Sequence, residues 1–178
     1  YETAGEAGTP ILFIHEFGGN YDAWEPQMTF FPRRHRCITY AARGDPPSDG
    51  PEDPTLSGPD FAVGDAVAVL RHLGIVKAHI VGLSMGGFAA LLFGIRHPEM
   101  AVSLVPAGAG SGSPRAEQAE FRAQCAARGD RLIAEGWPGG MAEETGHAPT
   151  RIQLKKKDPR GWAAYMARLA GHSGRGTG

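Results

Sequence analysis

An α/β fold, in which a mostly parallel sheet carries helices on both faces and a helical lid follows, is predicted by three features of this 178-residue sequence. Four short apolar runs, at 11–14, 37–40, 78–81 and 102–105, are separated by stretches with helical spacing or helix-forming composition. The 26 glycines and 14 prolines cluster between those runs, where such a fold needs turns. Gly82-Leu83-Ser84-Met85-Gly86-Gly87 joins an apolar strand-like run to an apolar helix-like run with no loop between them. Strand and helix in alternation imply right-handed crossovers, and they place ligands at the carboxyl ends of the strands.

Ile11-Leu12-Phe13-Ile14 is bounded by Pro10 and by His15-Glu16-Phe17-Gly18-Gly19, as expected of a buried parallel strand that ends in a loop. A helix opening at Tyr21 or Asp22 places Trp24, Met28 and Phe31 on one face, through spacings of four and three. Cys37-Ile38-Thr39-Tyr40 is the next strand. The Pro-rich, acidic stretch from Ala42 to Pro59 holds no regular element and is a long surface loop. From about Pro59 to Leu73 the chain is helical, with Ala66, Val67, Leu70 and Leu73 on its apolar side and Gly74 ending it. Ala78-His79-Ile80-Val81 is a strand, Phe88 to Ile95 a helix that stops at His97-Pro98, and Val102-Ser103-Leu104-Val105 a further strand. Arg115 to Glu135, rich in Ala, Glu and Arg, is helix with few apolar anchors. A loop with Trp137-Pro138-Gly139-Gly140 leads to a last helix from Pro159 to His172, where Trp162, Met166 and Leu169 recur at helical spacing beside Tyr165. The organisation is therefore a core over 1–113, a helical lid over 114–172 and a frayed or truncated end over 173–178.

A formal net charge of −1 gives no electrostatic reason to expect nucleic acid or an anionic membrane as partner. Arg151, Lys155, Lys156, Lys157 and Arg160 form a basic patch whose simplest meaning is a solvated face. Ala78 to Ile95 lacks charged residues, but its central glycines and serine break the continuous apolar helix that a membrane span requires. Two cysteines, Cys37 in a strand and Cys125 in a helix, suggest buried thiols rather than a disulfide framework. No leader is visible at Tyr1-Glu2-Thr3-Ala4, and the cytoplasm is the expected compartment. The sequence leaves the oligomeric state open.

The chemistry concentrates at Ser84. In G-x-S-x-G the glycines let the backbone turn sharply from strand to helix, which holds the serine strained and exposed at the sheet edge. The helix N-terminus beyond it supplies N–H groups for an oxyanion. The plain alternative is a glycine-rich turn whose serine caps a helix.

These residues resemble the α/β-hydrolase fold superfamily, in its esterase, lactonase and perhydrolase-like branch. The resemblance rests on the strand followed by His15-Glu16-Phe17-Gly18-Gly19, on Arg43-Gly44 with Ser48 downstream, on the elbow Gly82 to Gly86 and on the helix closing at His97-Pro98-Glu99. It implies Ser84 as nucleophile, with the backbone N–H groups of Phe17 and Met85 as oxyanion hole, each worth about 3 kcal/mol in the transition state. His15 is then structural, orienting its loop through hydrogen bonds. Relatives commonly carry His-Gly where this chain has His15-Glu16, a change that removes no backbone N–H.

The family takes its triad in the order Ser, acid, His, on loops after later strands. After Val105 no strand ending in an acidic residue and no later histidine loop is found, and the family's first strand is not found before Tyr1. The chain is accordingly expected to be an internal fragment lacking the triad acid and base. His147, in a lid loop, and His172, closing the last helix, are the base candidates inside it, each equally readable as a solvent-facing or partly packed histidine. Trp137, Trp162, Tyr165 and Met166 are candidates to line an apolar acyl pocket, or else to pack the lid. No metal or organic cofactor is implied. A serine at the elbow disfavours the dehalogenase and epoxide hydrolase branches, which use aspartate. The expected function is acyl transfer on a small ester, thioester or lactone. A non-catalytic binding or regulatory module, and a C–C bond hydrolase or cofactor-free perhydrolase, remain as alternatives.

Overall fold

The computed structural model describes residues 1–51, 53–110, 112–137, 141–149 and 151–174. The chain divides into two compact units, one of Tyr1–Arg43 with Asp53–Gly110, the other of Gly44–Glu52 with Ser111–Gly178.

In the first unit the strands are β1 (Glu2–Ala4), β2 (Ile11–Ile14), β3 (Cys37–Thr39), β4 (Ala78–Leu83) and β5 (Ala101–Ala107). They form one sheet in the order β1-β3-β2-β4-β5. β2, β3, β4 and β5 run parallel, with Ile11 opposite both Cys37 and His79, and Ile14 opposite Gly82. β1 was not anticipated: three residues at the start of the chain pair antiparallel with β3, Glu2 opposite Thr39 and Ala4 opposite Cys37. Its Glu-Thr-Ala sequence has no apolar periodicity, so nothing local marks it as a strand.

The pleat sorts the side chains to two faces. Leu12, Ile14, Ile38, Tyr40, Ala78 and Ile80 enter one cluster, and Ile11, Phe13 and Cys37 enter the other. The first cluster is closed by α2 (Pro59–His72), through Val63, Ala66, Val67 and Leu70, and by α3 (Met85–Arg96), through Ala89, Ala90 and Phe93. α2 begins with Pro59 at a position where the missing N–H costs nothing, and it ends with Gly74 at φ 68 and Ile75 N–H bonded back to the Leu70 carbonyl. The second cluster is closed by Trp24 and Met28. The single helix expected there is broken into a 3-10 turn at Tyr21–Trp24, α1 (Glu25–Phe30) and a 3-10 turn at Phe31–Arg33. Pro26 and Pro32 each lack an N–H for the ladder, so a helix is permitted only to restart at them. Phe31 still places its ring 6.2 Å from that of Phe13.

The second unit is helical: α4 (Gln118–Glu135), α5 (Met141–Gly146), α6 (Ile152–Lys157) and α7 (Pro159–Ala170). α4 closes at Gly136, whose φ of 71 suits glycine, and α7 opens on an Asp158 cap that accepts from Gly161 N–H at 2.9 Å. The short α5 and α6 were not anticipated, because six residues are too few to display a helical period. Leu132, Trp137 and Leu169 are fully buried, and Arg128 reaches across to the buried Thr145 hydroxyl at 2.9 Å. Cys37 is a buried free thiol, its pKa raised by burial, but Cys125 is exposed, against the expectation of two buried thiols. The polar majority of α4 leaves that face of the helix in solvent. Pro138, Gly139 and Gly140 of the expected loop, and 175–178 of the expected frayed end, lie outside the described residues.

Candidate active site

Ser84 adopts φ 52 and ψ −112, and among the described residues it is the one non-glycine with positive φ. Such a conformation costs of the order of 1–3 kcal/mol and persists only where its surroundings impose it. Here they do. Ser84 N–H donates to the Ala107 carbonyl of β5 at 2.8 Å, and its own carbonyl accepts from Phe88 N–H of α3 at 3.1 Å. Each glycine of the motif has a separate reason. A Cβ on Gly82 would overlap the Gly86 backbone, one on Gly86 would overlap the Ile14 and His15 carbonyls, and one on Gly87 would come within 2.9 Å of the Ala107 carbonyl. The result is an exposed serine at the carboxyl end of β4 with α3 starting immediately after it. Met85 N–H belongs to the first turn of α3, whose N–H groups have no intrahelical acceptor and carry the positive end of the helix dipole.

The loop after β2 is built from the neighbouring strand end. Gly19 N–H donates to the Glu16 carbonyl at 2.9 Å, closing a turn with Phe17 and Gly18 at its corners, and Gly18 takes the positive φ of 67. His15 is 1% exposed and bridges two loops: Nδ1–H donates to the Glu16 carbonyl at 2.8 Å, and Nε2 accepts from Ala42 N–H at 2.9 Å, beyond β3. A carbonyl on one nitrogen and an N–H on the other require the neutral tautomer with its proton on Nδ1. His15 therefore holds this loop as a structural residue. The Gly86 contact seats the start of α3 against the same Ile14-His15 backbone, so Ser84, Met85 and the Phe17 turn all issue from the carboxyl ends of β2 and β4. Among the described residues Glu16 Oε2 has no hydrogen-bond partner; it is shielded from solvent and packs over Gly19, where a Cβ would lie 2.9 Å from it.

Beyond β3, Arg43 anchors the chain. It grips Asp65 of α2 through Nε at 2.7 Å and Nη2 at 2.5 Å, donates to the Leu56 carbonyl at 2.7 Å and lies 4.6 Å over the Phe61 ring. The hydrogen bond to Asp65 raises the Arg43 pKa further. Burial, aided by the Asp65 charge, raises that of the Tyr40 phenol. The sequence offered Arg43 only as part of a motif, and its partner 22 residues away carried no signal.

The remaining candidates belong to the second unit. His172 is buried; Nδ1–H donates to the Arg168 carbonyl at 2.7 Å, Nε2 faces the buried Asp45 at 3.7 Å, and the ring packs on Trp137 with centroids 5.7 Å apart. His147 is exposed, its Nε2 3.5 Å from Lys155 Nζ and its ring edge-on to Trp162 at 5.3 Å. Trp162 also meets Tyr165 at 5.9 Å, and Met166 packs against Gly146. Asp45 was not singled out, since nothing in a Pro-rich loop announces a buried carboxylate.

An exposed, strained serine on a strand–turn–helix is the geometry of a nucleophile elbow. The alpha/beta hydrolase fold family matches residues 9–157. The chain belongs to that family. It is 37% identical over 90 residues to 3-oxoadipate enol-lactonase 1 of Acinetobacter baylyi, covering 51% of this chain and 33% of that protein. With 3-oxoadipate enol-lactonase 2 of the same organism it shares 31% identity over 125 residues, 70% of this chain and 46% of that protein. A solved hydrolase from Pseudomonas aeruginosa PA01 superposes with a TM-score of 0.83 at 20% identity, covering 99% of this chain and 64% of that one, a likeness of fold. This α/β-hydrolase chain thus spans a third to a half of these curated relatives and about two thirds of the solved one.

Proposed function

We propose that this α/β-hydrolase chain carries the nucleophile and oxyanion hole of a serine hydrolase acting by acyl transfer on a small ester, thioester or lactone. The observation that carries the reading is the positive φ of Ser84, a strain with no packing benefit of its own that presents the hydroxyl at the start of α3. Ser84 Oγ attacks the substrate carbonyl and loses its proton to a base. The backbone N–H groups of Met85 and Phe17 receive the oxyanion, the alcohol, thiol or enol departs with a proton, and water then cleaves the acyl-enzyme. The lactonase names of the two curated relatives favour a cyclic ester among these substrates. Trp162, Tyr165 and Met166, adjoining one another on α7, are the residues proposed to meet an acyl chain, with Trp137 packed behind His172. The free thiols of Cys37 and Cys125 agree with a cytoplasmic setting, and no helix among the described residues is long and apolar enough to cross a membrane.

The base is assigned to neither His172, whose two nitrogens face a carbonyl and a carboxylate, nor His147, whose Nε2 faces an ammonium. That observation favours one second reading, a module of this fold that binds a small molecule without turning it over. A fluorophosphonate probe with peptide mass spectrometry separates the two. Labelling at Ser84, lost in Ser84→Ala, supports the hydrolase and means that the chain holds a working base. A folded sample that resists labelling refutes a self-sufficient hydrolase, and ligand binding that survives Ser84→Ala then supports the binding module.

A further inference from the structure

We propose that His35 and His79 form a binding site for a borderline divalent transition-metal ion, Cu2+, Ni2+ or Zn2+, held by their two Nε2 atoms. The pair lies at the amino-terminal ends of the parallel strands, away from Ser84: His35 stands two residues before β3, and His79 is the second residue of β4. β2 runs between those strands, and Ile11 at its start is opposite both Cys37 and His79, which brings residues 44 apart in sequence together across one strand. The imidazole rings lie 6.0 Å apart, with planes at 83°. An ion about 2.1 Å from a ring nitrogen sits about 3.2 Å from that ring's centroid, so two rings sharing one ion have centroids at most about 6.4 Å apart. That limit belongs to a linear arrangement; at a tetrahedral angle the centroids lie about 5.2 Å apart, so binding would draw the two rings together by about 0.8 Å.

Both rings are also prepared as ligands. His35 Nδ1 faces the Thr9 carbonyl at 2.8 Å, an acceptor only, so Nδ1 carries the proton and the lone pair of the neutral ring is on Nε2. His79 Nδ1 lies 2.7 Å from Ser103 Oγ, a group able to accept as well as donate. A metal on Nε2 selects the arrangement in which Nδ1–H donates to that hydroxyl. A ring whose second nitrogen donates to a carbonyl or similar acceptor is the usual setting of a metal-bound histidine, because that bond fixes the tautomer and the ring orientation. Both histidines are half-buried and Ser103 is exposed, so the site is held yet open to solvent. Among the described residues no group of three or more His, Cys, Asp and Glu side chains is placed to hold a metal. Two imidazoles therefore supply the protein ligands, and water fills the other positions. Nitrogen donors with no carboxylate grouped beside them among the described residues select against Mg2+ and Ca2+.

The experiment is titration calorimetry of the 178-residue protein with the chlorides of copper, nickel, zinc and magnesium, each alone, joined by electron paramagnetic resonance of the copper-loaded sample. Expected are one equivalent bound, copper tightest, magnesium not bound, and a loss of at least tenfold in copper affinity in His35→Gln and in His79→Gln but not in His97→Gln. The resonance spectrum of the unsubstituted protein should show coupling to two imidazole nitrogens, a readout that stands even where a variant fails to fold. Copper affinity unchanged by both substitutions, or a spectrum with fewer than two nitrogens, overturns the proposal. The site is independent of Ser84, so its failure leaves the hydrolase reading untouched, and a negative fluorophosphonate result leaves the metal site untouched.

Discussion

Gly86→Ala is a substitution for which local and tertiary effects have opposite signs. Gly86 lies in α3 with an ordinary φ, so alanine gains about 1 kcal/mol of helix propensity. Its Cβ, however, would overlap two backbone carbonyls, those of Ile14 and His15, and neither can rotate aside. Relief requires α3 to withdraw from β2 by about 1 Å, which forfeits a quarter to a half of the dispersion energy of each contact so lengthened. Ala89, Ala90 and Phe93 pack in the core beneath, and overpacking of this kind costs about 1–3 kcal/mol. The net expectation is a loss of up to about 2 kcal/mol, a fall of up to about 8 °C in Tm for a chain of this size. Gly64→Ala is the matched control. Gly64 is also helical, in α2, and its Cβ would meet nothing within 4 Å, so the same exchange should raise stability by about 1 kcal/mol. Urea unfolding followed by circular dichroism measures both. If Gly86→Ala is as stable as Gly64→Ala, the close seating of α3 on the β2 end is not what the motif's glycine provides, and the account of the elbow fails.

Ser84→Gly should stabilise the fold by about 1 kcal/mol, since glycine adopts positive φ without the steric penalty, while abolishing fluorophosphonate labelling; thermal unfolding and mass spectrometry check the two halves. Tyr40→Phe should reduce sensitivity to alkali. The Tyr40 pKa is raised in the folded state, so its contribution is intact below the ordinary phenol value of about 10 and is lost as pH rises above it, by at most about 1.4 kcal/mol per pH unit. Urea midpoints from pH 8 to 11 should fall more steeply in the unsubstituted protein than in the variant. Asp45→Ala and His172→Ala should each destabilise the second unit by about 1–3 kcal/mol and be non-additive when combined, because each leaves its buried partner facing a vacated site. A double-mutant cycle with zero coupling would show that the 3.7 Å pair contributes nothing.

The strands and helices that the sequence disclosed are those whose side chains repeat at a period long enough to be counted. β2, β3, β4 and β5 are apolar runs, and α2 carries Val63, Ala66, Val67 and Leu70 at spacings of three, one and three. What was hidden has no such repeat. β1 is a strand only because β3 offers it an unpaired edge, and α5 and α6 are each six residues long. The helix expected through Phe31 is interrupted because the backbone loses a hydrogen bond at Pro26 and again at Pro32, a constraint that the apolar spacing of Trp24, Met28 and Phe31 does not display.

The elbow was legible for a different reason: its constraints lie within six residues. Gly82, Ser84, Gly86 and Gly87 are needed by a turn in which the nearest atom to each glycine is backbone, so the pattern tolerates few other residues and stands out in the sequence. Even there, two of the surfaces touched, the Ile14-His15 backbone and Ala107, are distant in the chain and visible only in the fold. The same distinction explains what was missed. Asp45 meets His172, Arg43 meets Asp65, and His35 meets His79, across separations of 127, 22 and 44 residues. Each is a pairing of ordinary polar residues with no characteristic spacing. Chemistry imposed by local backbone strain is therefore readable from one sequence, whereas chemistry assembled by pairing distant side chains becomes readable only once the sheet has set their register. For this chain that line runs between a strained serine turn, set by glycines a few residues away, and side-chain pairs that meet only across the fold.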